Sequence, residues 1–210
     1  GPAYFQTLYR NYNRQNPRRK LEFYRRLVTE YAPPVSRPAI LELGCAFGKF
    51  LACLDSHWRK FGVDISEYGV QQARQAAPDA RLVVGSCAAV PLKGPFDVIV
   101  AFDVIEHVEA LDRVGDFVSE ALADRGIFLF VVPVYDGPLG PVVRLLDKDP
   151  THIHQKSRGF WLSWASDRFV VLDWWGLTRY LLPGGVYINW PSRMMRSVSP
   201  AIAVIAQKEG

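Results

Sequence analysis

Short apolar runs alternate along the chain with segments whose apolar residues recur at helical spacing. Five of these runs predict strands: Ala39–Leu43, Phe61–Ile65, Arg81–Gly85, Phe96–Ala101 and Ile127–Val132. Runs this continuous are typical of strands buried on both faces, and their alternation with helices indicates a parallel sheet covered by helices on both sides. Two later runs, Arg168–Leu172 and Ala201–Ala206, bring the predicted sheet to seven strands.

The helical segments complete the fold prediction. One helix is predicted from Ser66 to Ala77, stopped by Pro78, and a second amphipathic helix begins near Leu111 and ends near Gly126. Strands and helices in this order predict an α/β, Rossmann-like, doubly wound fold with a mostly parallel seven-stranded sheet.

Residues 1–35 are predicted to form a helical preface to the sheet. Asn16 suits a helix cap with Pro17 in the first turn, and Pro33-Pro34 ends the helix. We expect the basic residues of this preface to form its solvent-exposed face: Arg18, Arg19, Lys20, Arg25 and Arg26.

An aromatic-rich insertion, residues 174–199, separates the last two predicted strands. It holds five aromatic residues and three arginines: Trp174, Trp175, Tyr180, Tyr187, Trp190, Arg179, Arg193 and Arg196. One interpretation is a β-hairpin or flap that turns at Pro183-Gly184-Gly185. A second is a lid that binds the acceptor, with arginines facing a carboxylate or phosphate. A dimer surface is a third.

Composition sets limits on the class of protein. With 210 residues, 49% of them hydrophobic, the chain predicts one globular domain covering residues 1–210. Its net charge of +4 allows an anionic partner without requiring one.

Three cysteines, Cys45, Cys53 and Cys87, suggest neither a disulfide framework nor a zinc cage, which favours a reducing, cytoplasmic location. The longest apolar run is too short for a membrane span, and we expect no signal peptide.

The strongest candidate site is a Gly-rich turn after the first strand. Glu42 ends that strand, Gly44 and Gly48 bracket the turn, and Asp64 follows Gly44 by 20 residues at the end of the second strand. An acid at this position accepts hydrogen bonds from ribose hydroxyls, and the helix that follows the turn offers free N–H groups. The combination predicts a nucleoside ligand.

The charge of Glu42 helps to choose between two nucleoside cofactors. A dinucleotide site has G-x-G-x-x-G spacing around a pyrophosphate, which a carboxylate would repel. This loop has G-x-x-x-G spacing, and Glu42 would attract the ammonium of a methionine moiety. S-adenosylmethionine is therefore the predicted cofactor.

At these motifs the chain resembles the class I S-adenosylmethionine-dependent methyltransferases, in particular the small-molecule group related to ubiquinone-biosynthesis methyltransferases. Four segments between Ala39 and Val132 match the motifs of that family: Leu41–Gly48, Gly62–Ser66, Gly85–Leu92 and Phe96–Val108. The resemblance implies that the first segment surrounds the methionine part of the cofactor and that the second holds its ribose. It implies that the third lines the adenine and that the fourth borders the methyl group. The implied cofactor-binding residues are Glu42, Gly44, Cys45, Ala46, Gly48, Asp64, Ile65, Ser86, Cys87, Ala88, Phe102 and Asp103.

Two positions depart from the pattern of the family. Ala46 replaces the middle glycine of the first motif, which is tolerable if its φ stays negative. Ser86 replaces an acid often found in the third motif, and its hydroxyl is a weaker acceptor for the adenine amino group. For Phe102, a role in the core is as reasonable an expectation as one beside the cofactor.

Three histidines are the candidate general bases: His107, His152 and His154. The last two lie in a loop from Asp147 to His154 that follows the fifth predicted strand. A structural role for this loop is one alternative, and metal binding by His152 and His154 with Asp147 or Asp149 is another. The prediction is that no metal binds.

The sequence therefore predicts methyl transfer to an oxygen or nitrogen of a small-molecule acceptor, for example a secondary metabolite or sugar. Candidate acceptor contacts are Trp161, Arg179, Tyr180, Tyr187 and Trp190. A methyltransferase acting on RNA or protein, a non-catalytic module of the same fold and a dinucleotide oxidoreductase are the alternatives. We expect no membrane and no nucleic-acid partner, while a homodimer remains open.

Overall fold

The computed structural model describes residues 12, 16–147, 149–181 and 187–210. The described residues form eight strands: β1 (Ala39–Leu43), β2 (Arg59–Asp64), β3 (Arg81–Val84), β4 (Phe96–Phe102), β5 (Leu122–Pro133), β6 (Val170–Leu181), β7 (Tyr187–Ser192) and β8 (Ala201–Gln207). They also form a 3-10 turn (Ile105–His107) and six α-helices: α1 (Arg18–Tyr31), α2 (Lys49–Ala52), α3 (Glu67–Ala76), α4 (Leu111–Ala121), α5 (Gly140–Leu146) and α6 (Arg158–Ser166).

The strands form one sheet in the order β3-β2-β1-β4-β5-β8-β6-β7. Strands β1 to β5 pair in parallel, β8 is antiparallel to β5 and β6, and β7 is antiparallel to β6. The strand order reverses between β1 and β4. The carboxyl ends of these two strands therefore border the crevice in which ligands of doubly wound sheets bind.

The predicted Rossmann-like, mostly parallel architecture is confirmed, but the sheet has eight strands rather than seven. The sequence placed the sixth strand at Arg168–Leu172, whereas β6 continues through the aromatic residues to Leu181. The aromatic-rich segment therefore contains the last eight residues of β6 and all of β7, which pair as an antiparallel hairpin that continues the main sheet. The predicted turn at Pro183-Gly184-Gly185 lies outside the described residues.

The β6–β7 hairpin projects beyond the carboxyl edge of the sheet. Leu177 of β6 is level with Ala201 of β8, which is in turn level with Pro133 at the end of β5. The four residues of β6 after Leu177 therefore extend about 13 Å past that edge. This projection brings the hairpin toward the crevice between β1 and β4.

Alternating side chains of the buried strands separate the core into two layers. Ile99 and Ala101 of β4 pack in the layer that includes α4 and α6. Val98 and Val100 pack in the opposite layer, with α1, α2 and α3. Successive side chains of a strand point to opposite faces of the sheet, so neighbouring residues are expected to pack in different layers when helices cover both faces.

The helical preface differs from prediction at its start and on its basic face. Asn16 does not cap α1 with its side chain, because its Nδ2 donates to the Tyr12 carbonyl at 3.0 Å. Lys20 is buried rather than solvent-exposed. Its aliphatic stem lies in the interface of α1 with the sheet, and its ammonium reaches a carboxylate at the end of β4.

Trp161, predicted from the sequence as an acceptor contact, is a core residue. Its side chain is 0% exposed and packs against Phe130 and Trp164, with ring centroids 6.3 and 6.1 Å away. Since α6 presents this ring to the sheet, Trp161 is removed from any solvent-accessible ligand. Among the described residues, no helix has the length and apolar character to cross a bilayer.

We expect Trp161→Ala to lower the free energy of unfolding by about 3–5 kcal/mol, since it leaves a large cavity in the core. Urea denaturation measures this change. Trp190→Ala is the matched control, because Trp190 is 67% exposed on β7 and its removal should change stability by no more than about 0.5 kcal/mol. Equal effects of the two substitutions would contradict the packing role of Trp161.

Candidate active site

The loop between β1 and α2 is held tightly against the neighbouring strands. Gly44 has a φ of +71°, and a Cβ at this position would lie 2.3 Å from a methyl carbon of Val104. The amides of Gly44 and Cys45 both donate to the Val63 carbonyl, at 2.8 and 3.0 Å. Glycine is required at position 44 because the backbone is left-handed and the space is filled.

Ala46 adopts a conformation that the sequence did not predict. Its φ is +45°, so the middle position of the turn is left-handed although it carries a side chain. The Ala46 amide donates to Asp64 Oδ2 at 2.8 Å, which holds the loop in this conformation. The sequence makes alanine tolerable here on the condition that φ is negative; at the positive φ observed, this hydrogen bond compensates for the strain of a non-glycine residue in the left-handed region.

Asp64 organises the end of β2 through both carboxylate oxygens. Oδ2 accepts from Ala46, and Oδ1 accepts from the Ser66 amide at 2.8 Å. Ser66 then caps α3 by accepting from the Gly69 amide at 3.1 Å. Burial raises the pKa of Asp64 above its ordinary value, and the two amide hydrogen bonds oppose that shift.

Glu42 lies beside Asp64 at the end of β1 and is buried. Among the described residues, its Oε2 has no hydrogen-bond partner. Burial, and then the charge of Asp64, raise the pKa of Glu42 well above its ordinary value. Tyr12 lies nearby, with its ring 4.7 Å from that of Phe47, and the charge of Glu42 helps to raise the pKa of its hydroxyl.

The residues after β2 and β3 belong to the segments that the resemblance assigns to the ribose and to the adenine, in that order. Ile65 is 79% exposed, which is unusual for a large aliphatic side chain beside a buried strand. Ser86 Oγ accepts from the Ala88 amide at 3.2 Å. Cys87 is buried, and burial raises the pKa of its thiol to about 12. Its side chain is therefore a small apolar packing group rather than a nucleophile.

Phe102 packs in the aromatic interior where α1 meets the sheet. Its ring stacks on Tyr24 at 4.2 Å and meets the edge of Phe50 at 4.8 Å. Of the two interpretations of Phe102, these contacts favour the core role over a place beside the cofactor.

Asp103 is the junction of three elements at the end of β4. Both its oxygens accept from Arg179 Nη1 of the hairpin, at 2.7 and 2.6 Å, and Lys20 Nζ of α1 lies 3.3 Å from Oδ2. Burial would raise the pKa of Asp103, but the charges of Arg179 and Lys20 outweigh burial and hold it below its ordinary value. Sequence reasoning missed Lys20, since its partner lies 83 residues away.

The turn after Asp103 meets the loop from Asp147 to His154. His107 Nδ1 lies 3.0 Å from the Thr151 carbonyl, and the rings of His107 and His152 are 4.6 Å apart. His152 Nδ1 lies 2.7 Å from Asp147, which also accepts a hydrogen bond from Tyr135. The structure therefore brings together two of the three predicted histidines, although their positions are 45 residues apart in the chain.

The third histidine and the remaining acceptor candidates lie elsewhere. His154 Nε2 is 2.9 Å from the Val108 carbonyl, so this ring ties the loop to the domain. Trp190 is exposed on β7, and the side chains of Tyr180 and Tyr187 lie outside the described residues. Two arginines of the aromatic-rich segment contact the protein itself, Arg193 pairing with Asp173 and Arg196 stacking over Trp174.

Substitution tests the left-handed conformation of Ala46. We expect Ala46→Gly to raise the free energy of unfolding by up to about 1 kcal/mol, because relief of the left-handed strain exceeds the entropy lost by a glycine. Chemical denaturation measures the change. Ala52→Gly in α2 is the control and should lower stability by about 1 kcal/mol, so a comparable loss in both variants would argue against the strain.

Comparison with known proteins gives a family and a fold. A model of the family described as methyltransferase domain matches residues 12–177. The YcgJ protein of Bacillus subtilis superposes with a TM-score of 0.68 at 17% identity, covering 90% of this chain and 99% of its own. The N-methyltransferase NodS of Bradyrhizobium japonicum WM9 gives 0.64 at 15% identity, covering 92% and 96%.

A SAM-dependent methyltransferase of Methanosarcina mazei superposes with a TM-score of 0.65 at 18% identity, covering 87% of this chain and 97% of its own. A search of curated protein sequences gives no significant match. The predicted relation to ubiquinone-biosynthesis methyltransferases stays a prediction. The matched family spans most of the chain, and the loop, the acid at the end of β2 and the strand order agree with it. The chain therefore belongs to the methyltransferase domain family and is a class I methyltransferase with S-adenosylmethionine as its cofactor.

Proposed function

We propose that the protein transfers a methyl group to an oxygen or nitrogen of a small molecule, enclosed between α1, the turn after β4 and the β6–β7 hairpin. The observation that carries this proposal is the ion cluster at Asp103. Arg179 of the hairpin and Lys20 of α1 converge on one carboxylate at the end of β4. Two separate elements are thereby fastened over the edge of the sheet at which ligands bind.

An enclosed site favours a small acceptor over a macromolecule. A polymer must bring one nucleotide or side chain to the methyl group while its backbone remains outside, which requires an open approach. The hairpin extends about 13 Å past the sheet edge and is held to Asp103 by Arg179, so it overhangs the end of β4. A covered site also excludes water, which strengthens electrostatic interactions with the acceptor.

The residues around the first loop fit S-adenosylmethionine. Glu42 Oε2 is buried without a partner among the described residues, and an ammonium group would satisfy it. Each carboxylate oxygen of Asp64 accepts one amide hydrogen bond and has a second acceptor position, so two ribose hydroxyls would still find acceptors. The exposed side chain of Ile65 would cover the face of an adenine ring.

The bound cofactor supplies a methyl group on a cationic sulfur, and the protein needs to align an acceptor with it and exclude water. A hydroxyl acceptor must also lose its proton. His107 and His152 both have Nδ1 engaged with an acceptor, Thr151 O and Asp147 respectively, which leaves Nε2 as the basic atom. His154 is the weakest of the three candidate bases, because its Nε2 already donates to Val108.

We expect Asp64→Asn to weaken binding of S-adenosylmethionine by about 10–100-fold, since charge-assisted hydrogen bonds to ribose contribute about 1.5–3 kcal/mol. Isothermal titration calorimetry measures the affinity. Asp124→Asn is the control, because Asp124 is exposed near the amino end of β5, at the opposite edge from the site. Unchanged affinity in Asp64→Asn would refute the assignment of the ribose subsite.

The acceptor class is tested by transfer of a labelled methyl group into separate fractions of small metabolites, RNA and protein. We expect label in the metabolite fraction and a reduction of about ten-fold or more in Arg179→Gln, which releases the hairpin from Asp103. Arg193→Gln is the control, since Arg193 pairs with Asp173 instead. Label predominantly in RNA or protein would overturn the small-molecule proposal.

A further inference from the structure

A second cluster of potential ligand atoms lies beside Asp103, outside the cofactor subsites. Glu106, His107 and His152 each offer one ligand atom, and these atoms lie within 4.8 Å of one another. Glu106 and His107 belong to the 3-10 turn after β4, whereas His152 comes from the loop that follows α5. Two segments distant in the sequence therefore converge on one point.

Glu106 is the observation that points to a ligand. Its side chain is 0% exposed, and neither carboxylate oxygen has a hydrogen-bond partner among the described residues. An unpaired carboxylate in such surroundings costs several kcal/mol, and polar groups buried at this depth are normally hydrogen-bonded or bound to a metal. The structure places this side chain within reach of two imidazole rings without supplying the hydrogen-bond donors that it needs.

The hydrogen bonds of the two histidines leave the other ring nitrogen of each available for coordination. Carbonyl and carboxylate oxygens accept but do not donate, so Nδ1 of His107 carries the proton toward Thr151, and Nδ1 of His152 carries the proton toward Asp147. Both Nε2 atoms then have a free lone pair. Metal-binding histidines characteristically donate their remaining N–H to a carbonyl or carboxylate in this way.

The supporting residues are themselves held in place. Asp147 accepts from the Tyr135 hydroxyl as well as from His152. Asp149 Oδ1 accepts from the Thr151 amide at 2.9 Å and from its hydroxyl at 2.5 Å, which fixes the carbonyl that orients His107. The His154 amide donates to the Glu106 carbonyl at 3.0 Å, joining the loop to the turn.

We propose that Glu106, His107 and His152 bind a divalent transition-metal ion such as Zn²⁺, Co²⁺ or Mn²⁺. Two imidazoles and one carboxylate suit these borderline metals, whereas Ca²⁺ and Mg²⁺ prefer oxygen ligands alone. Ligand atoms on a tetrahedral ion at about 2.1 Å lie about 3.4 Å apart, so atoms that are now up to 4.8 Å apart need to approach one another by up to about 1.4 Å.

This proposal differs from what the sequence predicts. The sequence predicts no metal, and the alternative that it leaves open combines His152 and His154 with Asp147 or Asp149. In the structure His154 is bound to Val108, and Asp147 supports His152 rather than forming a ligand of its own. The partners of His152, Glu106 and His107, lie 46 and 45 residues earlier, and no local spacing in the sequence links them to it.

Metal binding here does not depend on the proposed function, but it would change the role of the histidines. An ion would occupy both Nε2 atoms, so neither His107 nor His152 would then act as a base. Three protein ligands leave at least one coordination position open, which an oxygen of the acceptor would fill. The position beside Asp103 places the ion at the edge where β4 ends.

The test is titration of Co²⁺ into the chelator-treated full-length chain, followed by calorimetry and by the visible absorption of bound Co²⁺. We expect one ion per chain and a rise in Tm that EDTA reverses, because an ion that binds the folded state stabilises it. Glu106→Gln and His152→Gln should each weaken binding by at least about ten-fold. His57→Gln is the control, since His57 is exposed in the loop before β2.

Failure of the wild-type chain to bind Co²⁺, Zn²⁺ or Mn²⁺ would overturn the proposal, as would binding that both variants retain. The Tm of each chelator-treated variant shows whether it still folds. Calorimetry with S-adenosylmethionine reports separately on the cofactor subsites, so loss of the metal with normal cofactor binding is attributable to this cluster alone. Absence of methyl transfer with intact metal binding would refute the proposed function and leave the metal site standing.

Discussion

The placement of negative charge at one edge of the sheet is the constraint on which the rest of the site depends. Four carboxylates stand at or just beyond the carboxyl ends of β1, β2 and β4: Glu42, Asp64 and Glu106, which are buried, and Asp103, which is partly exposed. Each must be compensated, because a charge in such surroundings is costly unless it is paired or hydrogen-bonded. Asp64 is compensated by two backbone amides and Asp103 by two cationic side chains.

The other two carboxylates, Glu42 and Glu106, lack such compensation among the described residues. This difference distinguishes carboxylates that stabilise the fold from carboxylates that are available to bind a ligand. The pairing at Asp64 and Asp103 fixes the first loop, α1 and the hairpin in place, so these carboxylates are structural as well as chemical. Oε2 of Glu42 and both carboxylate oxygens of Glu106 have no hydrogen-bond partner among the described residues, and a cation beside them would be stabilised. The cofactor ammonium at one and a metal ion at the other would complete the same electrostatic balance.

The parts of the fold that could be predicted from sequence are those determined by neighbouring residues. Strand β1 ends at the predicted residue, and Ser66 caps α3 next to the predicted helix start, because apolar runs and capping residues act locally. The burial of Trp161 could not be read in this way, since an aromatic residue on a short helix suits a core and a binding surface equally well. The length of β6 was missed because its aromatic residues resemble those of a ligand-binding insertion.

In the candidate site, too, the residues that could be predicted are those that lie close together in the sequence. The motif that contains Gly44 and Asp64 indicated the cofactor, because both residues lie within one β-α-β segment. The role of Lys20 could not be predicted, because its charge suggested a position on the solvent-exposed face of α1. Only the packing of α1 against the sheet places its ammonium beside Asp103. The significance of Glu106 likewise depends on His152, which a separate loop brings to it. Chemistry that is local in sequence is predictable, whereas chemistry assembled from distant segments requires the three-dimensional arrangement to be known.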